Sequence, residues 1–125
     1  RANLAVNDDF QIDKYFPKVK FDYILSVSLL THLFPEDVDL LFENVSKVLK
    51  GAYFFTIYPG QTGGSIGLHY FDKEWIKDTG KKHGLLIEEL EGEYTRQRDY
   101  NIIDTYNSRL GQFAMKATKI KKNGR

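Results

Sequence analysis

The sequence predicts an α/β protein whose mostly parallel sheet ends in an antiparallel C-terminal hairpin. In the middle of the chain, strand patterns of the buried type alternate with helical patterns, and this alternation is typical of parallel α/β sheets. Two strand patterns then follow each other near the end, which favours an antiparallel pair. The length of 125 residues allows one domain at most.

Composition excludes several kinds of site without indicating a function. The chain has no cysteine, so disulfides, thiolate metal sites and a cysteine nucleophile are excluded. Its formal net charge is +1, and no apolar run reaches the roughly 18 residues of a membrane span. We therefore expect a cytoplasmic protein that has no membrane partner. No leader pattern is visible. The first residue is Arg1 and not an initiator Met, so we also expect that the chain begins inside a longer protein.

The first part of the chain contains two strand patterns. Residues 3–6 form a short apolar run that ends in turn-forming residues. Residues 21–28 form the strongest strand pattern, and their nearly continuous apolar character predicts a strand that is covered on both faces. Residues 29–34 are expected to form a loop or a short turn of helix.

A helix is predicted next, over residues 36–50. Pro35 suits its first turn, and the two acidic residues that follow suit the positive end of the helix dipole. Apolar residues recur at steps of three and four, and Gly51 is expected to stop the helix. Residues 52–58 then form a second strand pattern of the buried type.

The second part of the chain continues the alternation. Residues 61–67 are rich in glycine and are predicted to be a loop. A helix is predicted over residues 73–83, and strands are predicted over residues 85–90 and 111–118. Residues 118–125 are expected to form a basic, disordered tail.

Two sequence segments together carry a resemblance to a known family. Residues 21–33 are FDYILSVSLLTHL, and residues 45–51 are VSKVLKG, with a Pro-Glu-Asp helix start between them. This combination resembles the class I, S-adenosylmethionine-dependent methyltransferases, in which such segments form the fourth strand, the next loop and helix, and the start of the fifth strand. Residues 70–71, the predicted helix that follows them and residues 82–85 together resemble the family's fifth helix and sixth strand. The resemblance covers the chain from about Leu4 to Lys119.

The resemblance implies a Rossmann-like methyltransferase sheet that is incomplete. The family's strand order is 3-2-1-4-5-7-6, and this chain supplies strands 3 to 7. The family's glycine-rich cofactor turn is absent, because the glycines of residues 63–67 follow the wrong strand. We therefore expect residues 1–125 to form a partial methyltransferase domain that lacks the first two strands. The alternative is an autonomous fold with a rearranged sheet.

By resemblance, the cofactor is S-adenosylmethionine. Methyl transfer from a sulfonium is an in-line displacement, so such an enzyme mainly holds donor and acceptor in near-attack geometry. The family contacts the adenine after its third strand and lines the methionine end of the cofactor after its fourth strand. The candidates for the adenine are Asp8, Asp9 and Phe10, and those for the methionine end are Ser26, Val27 and Ser28. Alternatively, these residues only terminate a strand or pack in the core, and packing is expected above all for Val27.

Residues beyond the strand ends are candidates for contact with the methyl acceptor. His32 follows the central strand, and histidine suits a general base near neutral pH. The alternative is a structural histidine that caps the loop or the following helix. By resemblance, Tyr58, His69 and Tyr70 lie in the region that shapes the acceptor pocket, although a surface connection has the same pattern.

The leading hypothesis is an enzyme that methylates an oxygen or nitrogen atom of a small-molecule or glycan-type metabolite. Residues 28–31 are Ser-Leu-Leu-Thr, where base-methylating enzymes often have Asn/Asp-Pro-Pro-Tyr/Phe, so no nucleic acid partner is expected. The second hypothesis is a non-catalytic binding or scaffold module that keeps the fold. A nicotinamide-dependent oxidoreductase is the third, and the antiparallel final hairpin argues against it. The sequence does not indicate the oligomeric state.

Overall fold

A computed structural model describes residues 10–65, 68–90 and 113–121. Three helices and six strands lie in these ranges, and a 3₁₀ turn at Leu30–His32 joins the first strand to the long helix. The elements are α1 (Ile12–Tyr15), β1 (Phe21–Ser26), α2 (Pro35–Val48), β2 (Leu49–Ile57), β3 (Gly63–Ser65), β4 (Leu68–Tyr70), α3 (Lys73–Lys82), β5 (Leu85–Glu89) and β6 (Phe113–Lys119).

Four of these strands form one mixed sheet in the order β1-β2-β6-β5. β1 and β2 are parallel, and β6 is antiparallel to both of its neighbours, β2 and β5. The predicted α/β class with an antiparallel C-terminal pair is therefore confirmed. In the family's numbering this order is 4-5-7-6, so the described strands do not form the rearranged sheet that was the alternative.

One face of the sheet carries the hydrophobic core. The buried residues of α2 recur at helical spacing and pack against alternate residues of β2. Phe42 is fully buried there, and its ring centroid lies 6.5 Å from that of Tyr53 and 5.5 Å from that of Phe55. Ile76 of α3 and Ile87 of β5 belong to the same cluster. The helices therefore cover this face from β2 to β5.

The opposite face is exposed at both edges of the sheet. Tyr23 and Leu25 of β1 are 74% and 71% exposed, and Leu86 of β5 is exposed as well. The ring of Tyr23 stacks on that of Phe54 in the neighbouring strand, with 6.4 Å between centroids. The prediction that β1 is covered on both faces is therefore wrong within the described residues. In the same residues β1 pairs with β2 only, which agrees with the expected incomplete sheet.

The junction between α2 and β2 differs from the predicted one. The helix ends at Val48, and β2 begins at Leu49, whose φ of −85° and ψ of 129° are already extended. Gly51 is therefore not a helix stop, since it lies within β2. The register with β1 shifts by one residue between Phe21 and Tyr23, which is a β-bulge in β2. Glycine suits this bulge because the backbone of β1 approaches it too closely for a side chain.

The structure bears on further predictions about loops and termini. Part of the predicted loop at residues 61–67 is the antiparallel hairpin of β3 and β4. Thr118 and Lys119 belong to β6, so these two residues are not part of a disordered tail. The predicted strand at residues 3–6 lies outside the described residues. No helix within the described ranges has the length and apolar character that crossing a membrane requires.

A carboxylate of α2 contacts the C-terminal end of α3. The Oδ1 atom of Asp39 accepts a hydrogen bond from Lys82 Nζ at 2.7 Å and lies 2.8 Å from His83 Nε2. The hydrogen bond from Lys82 lowers the pKa of Asp39 from its ordinary value, and His83 acts in the same direction. A lowered folded-state pKa stabilises the fold above the unfolded-state pKa. This contribution is lost as the pH falls through the folded-state pKa.

We expect the Asp39→Asn variant to be less stable than the unaltered chain near neutral pH, because an amide lacks the charge that contacts Lys82. The difference should shrink as the pH falls below 3.8, the ordinary aspartate value. Urea unfolding near neutral pH and at about pH 3 measures it. Asp78→Asn, at an exposed carboxylate of α3, is the control. A stability difference of the same size at both pH values would contradict the prediction.

Candidate functional site

The carboxyl ends of β1 and β2 lie side by side, because the two strands are parallel. In open α/β sheets, ligands bind at this edge. Ser26 ends β1, Val27 and Ser28 follow it, and Tyr58 comes directly after β2. The structure thus brings predicted cofactor and acceptor residues from two sequence segments to one edge of the sheet.

Ser28 has a backbone conformation that residues other than glycine rarely adopt. Its φ is +61°, in the left-handed region. Its backbone N–H donates to Thr56 Oγ1 at 2.9 Å, and its carbonyl oxygen accepts a hydrogen bond from Thr31 Oγ1 at 3.1 Å. Both threonines are buried. Two buried hydroxyls, one on β2 and one on the 3₁₀ turn, therefore hold the backbone of Ser28 in this conformation.

Ser26 is hydrogen-bonded to the core of the protein. Its Oγ atom lies 2.7 Å from the hydroxyl oxygen of Tyr53, and either group can donate. Tyr53 is almost completely buried, and this burial raises its pKa, although the contact with Ser26 opposes the rise. Tyr53 therefore stays neutral at physiological pH and fixes Ser26 through a hydrogen bond.

Two small cavities flank the end of β1. The first measures about 270 Å³, and its lining includes Phe10, Ser26 and Tyr53. The second measures about 180 Å³, and its lining includes Ser26, Val27 and Thr56. Small-molecule sites usually measure about 300–1,000 Å³, so each of these cavities is smaller than a usual ligand site.

A larger cavity lies elsewhere in the molecule. It measures about 530 Å³ and is lined by Lys77 and Lys81 of α3, by Leu85 at the start of β5 and by Thr118 near the end of β6. This is the opposite end of the sheet from the carboxyl ends of β1 and β2, because β6 runs antiparallel to β2. We therefore place the candidate site at the smaller cavities, where open α/β sheets bind ligands.

The other cofactor candidates have different outcomes. Asp8 and Asp9 lie outside the described residues. Phe10 packs at the margin of the hydrophobic core and lines the same cavity as Ser26. Val27 is 52% exposed, so within the described residues the alternative of ordinary core packing is wrong for this residue.

Tyr58 and Tyr70 form an aromatic pair beyond the end of β2. Their ring centroids lie 5.7 Å apart, with an angle of 47° between the ring planes. The β3–β4 hairpin is held against the strand end by two hydrogen bonds. The Phe71 N–H donates to the Tyr58 carbonyl at 2.9 Å, and the Gly60 N–H donates to the Phe71 carbonyl at 3.1 Å. Tyr70 is partly exposed, so the pair offers an aromatic surface with polar edges to a ligand.

The two predicted histidines have different environments. His69 is 6% exposed, and its ring packs edge-on against that of Phe34, with 4.6 Å between centroids. His32 is exposed on the 3₁₀ turn, where its backbone N–H donates to the Leu29 carbonyl at 3.0 Å. His32 is therefore accessible at this edge of the sheet, whereas His69, in β4 of the hairpin, is packed against Phe34.

Sequence reasoning missed the hydroxyl groups that hold the end of β1. Tyr53 and Thr56 lie in the mostly apolar part of β2 that follows Gly51, and Thr31 lies in the short turn that follows β1. A hydroxyl within a buried strand needs a hydrogen-bond partner, and this need is the signal that could have singled out Thr56. The partner itself, the N–H of Ser28, is 28 residues away in the sequence.

No family model and no curated protein matches the sequence, whereas solved structures do match. An O-methyltransferase family protein from Burkholderia thailandensis is 10% identical to this chain, with a TM-score of 0.60. The match covers 94% of this chain and 36% of the Burkholderia protein. The magnesium protoporphyrin IX methyltransferase of Synechocystis, with bound S-adenosylhomocysteine, is 12% identical, with a TM-score of 0.57 over 90% and 49% of the two chains. The phosphoethanolamine N-methyltransferase 2 of Haemonchus contortus, in complex with S-adenosylmethionine, is 18% identical, with a TM-score of 0.52. The match covers 81% of this chain and 34% of the Haemonchus protein.

The chain spans less than half the length of each of these three proteins. At such low identities the likeness is one of fold. It agrees with the strand order β1-β2-β6-β5 and with the resemblance that the sequence carries. The chain therefore has the fold of part of a class I, S-adenosylmethionine-dependent methyltransferase domain.

Proposed function

We propose that this chain is part of an enzyme that transfers the methyl group of S-adenosylmethionine to a small-molecule or glycan-type metabolite, at an oxygen or nitrogen atom. The observation that carries the proposal is the turn at residues 26–28, which buried hydroxyls hold at the ligand-binding edge of the sheet. Two of the similar proteins were solved with S-adenosylhomocysteine or S-adenosylmethionine. Their names indicate a porphyrin and phosphoethanolamine as acceptors, which are both small molecules.

The residues at the strand ends fit a part of such a cofactor. Phe10 and Ser26 line one cavity, where an aromatic ring suits contact with an adenine and a hydroxyl suits a polar group. Val27 and Ser28 follow at the turn and would meet the methionine end. Asp8 and Asp9 stay predictions for the adenine. The remaining contacts would have to come from outside the described residues, because both cavities are smaller than a usual ligand site.

The geometry suggests how the chain would support the reaction. When bound, S-adenosylmethionine supplies an electrophilic methyl group. Such a reaction is an in-line displacement, so positioning of donor and acceptor would supply most of the catalysis. Tyr58 and Tyr70 would orient the acceptor. His32, which is exposed on the neighbouring 3₁₀ turn, would take the proton from a hydroxyl acceptor.

A non-catalytic binding or scaffold module is the second candidate function. Residues 1–125 lack the glycine-rich cofactor turn, and this would favour a fold that is kept for binding a partner if no longer natural polypeptide supplies the turn. The exposed side chains of Tyr23 and Leu25 would then contact another protein. A cytoplasmic location stays a prediction under both candidates.

Calorimetric titration with S-adenosylhomocysteine tests these functions. We would titrate the 125-residue chain and the longest natural polypeptide that contains it, with NADH as the control ligand. We expect the longer polypeptide to bind S-adenosylhomocysteine with a micromolar Kd, which corresponds to about −8 kcal/mol, and not to bind NADH. If neither polypeptide binds S-adenosylhomocysteine, the enzyme proposal fails and the scaffold is favoured. Binding of NADH would support the oxidoreductase instead.

A further inference from the structure

We infer that Thr56 is a positioning residue for the cofactor, because its hydroxyl fixes the turn at Ser28 in the shape that the methionine end of the cofactor meets. The inference rests on the proposed function. It adds a residue on β2 to a predicted cofactor site whose candidates lie before β1 and at its end. Thr56 itself need not touch the cofactor or the reacting atoms, since it acts through the backbone of Ser28.

Thr56 acts on the turn from a central strand. Its side chain is buried, and its backbone pairs with Ala114 of β6 on the side away from β1. Ser26 pairs with Phe55, so Thr56 lies level with the first residue beyond the end of β1. Its Oγ1 atom is then within 2.9 Å of the Ser28 nitrogen. A strand that is paired on both sides therefore sets the position of this hydroxyl.

The conformation of Ser28 needs such support. A left-handed φ is unfavourable for a residue other than glycine, and it persists only where the surroundings determine it. Here Thr56 accepts from the N–H and Thr31 donates to the carbonyl, so the protein itself satisfies both backbone groups. The turn thus keeps its shape before a ligand arrives. Such preorganisation reduces the ordering cost of binding.

Two substitutions at Thr56 test the inference in the longest natural polypeptide that contains the chain. Thr56→Val keeps the shape of the side chain and removes the hydroxyl, whereas Thr56→Ser keeps the hydroxyl and removes the methyl group. Thr79→Val is the matched control, because Thr79 is a buried threonine on α3, which packs beside β5 at the far edge of the sheet. For each variant, we would measure the Kd of S-adenosylhomocysteine by calorimetry and the midpoint of thermal unfolding.

We expect Thr56→Val to raise the Kd about tenfold, as the loss of one such hydrogen bond would, while Thr56→Ser stays within about threefold and Thr79→Val does not change it. A threonine with a merely structural role would lower the midpoint and leave the Kd unchanged, and this result for Thr56→Val would overturn the inference. If Thr56→Val does not fold, the Kd of Thr56→Ser decides. This variant keeps the hydroxyl, so a tenfold loss of affinity for S-adenosylhomocysteine would also overturn the inference. Failure of the unaltered polypeptide to bind would instead overturn the proposed function, and the inference with it.

Discussion

Replacing Phe42 with alanine is expected to lower the free energy of unfolding by about 3–5 kcal/mol. Phe42 is fully buried between α2 and the sheet, where its ring lies against those of Tyr53 and Phe55. Its removal deletes these contacts and leaves a cavity. The helix cannot collapse into this cavity, because Val38 and Val45 hold it against the same core. The loss would also reach the candidate site, since Tyr53 carries the hydrogen bond to Ser26.

Urea unfolding followed by circular dichroism measures this loss. Phe34→Ala is the matched control, because it makes the same chemical change at a ring that is 56% exposed. We expect the control to cost about 1 kcal/mol or less, since less apolar surface is lost from contact. Equal losses of unfolding free energy in the two variants would contradict the burial of Phe42 in the core.

Gly51→Ala is expected to cost about 3 kcal/mol, at the upper end of the usual range for overpacking. A Cβ atom at this position would lie 3.1 Å from the carbonyl carbon of Asp22 and would overlap its oxygen. The obstacle is the backbone of β1, which cannot move aside as a flexible side chain can. Part of the β1–β2 pairing would have to shift, and the end of β1 with Ser26 would shift with it.

The matched control for this change is Gly60→Ala. The nearest atoms to a Cβ at Gly60 belong to the Tyr70 side chain at 3.4 Å, which is ordinary van der Waals contact. We expect this variant to change the free energy of unfolding by about 1 kcal/mol or less. The midpoint of urea unfolding compares the two variants. A Gly51→Ala variant as stable as Gly60→Ala would rule out the close approach at the bulge.

Much of the fold could be predicted, because buried strands and amphipathic helices leave periodic patterns in a sequence. The junction between Val48 and Leu49 could not, since both residues are apolar and no breaker separates the helix from the strand. Gly51 resembles a helix stop, yet it is required by a backbone contact with a strand that is remote in the sequence. The exposure of Tyr23 and Leu25 could not be predicted either, because the sequence of an apolar strand does not show whether another element covers it.

The candidate site could be located but not described in detail. The resemblance pointed to residues 26–28 and to the aromatic residues beyond β2, and the structure brings both to one edge of the sheet. A positive φ at Ser28 could not be predicted, because serine rarely adopts it. The support from Thr56 depends on how two strands stand relative to each other, which is a property of the sheet and not of either segment alone.

The position of β6 within the sheet sets the order in which the protein can assemble. β6 is the last of these strands in the chain, yet it lies between β2 and β5, and β5 has no other strand partner among the described residues. During synthesis, β1, α2 and β2 emerge before the other elements of this sheet, and the two strands can pair at once. α3 and β5 emerge next but cannot join the sheet until residues 113–119 have left the ribosome. A polypeptide released before that point would leave β5 without its strand partner β6, and the apolar side chains of β5 would stay accessible to chaperones and proteases.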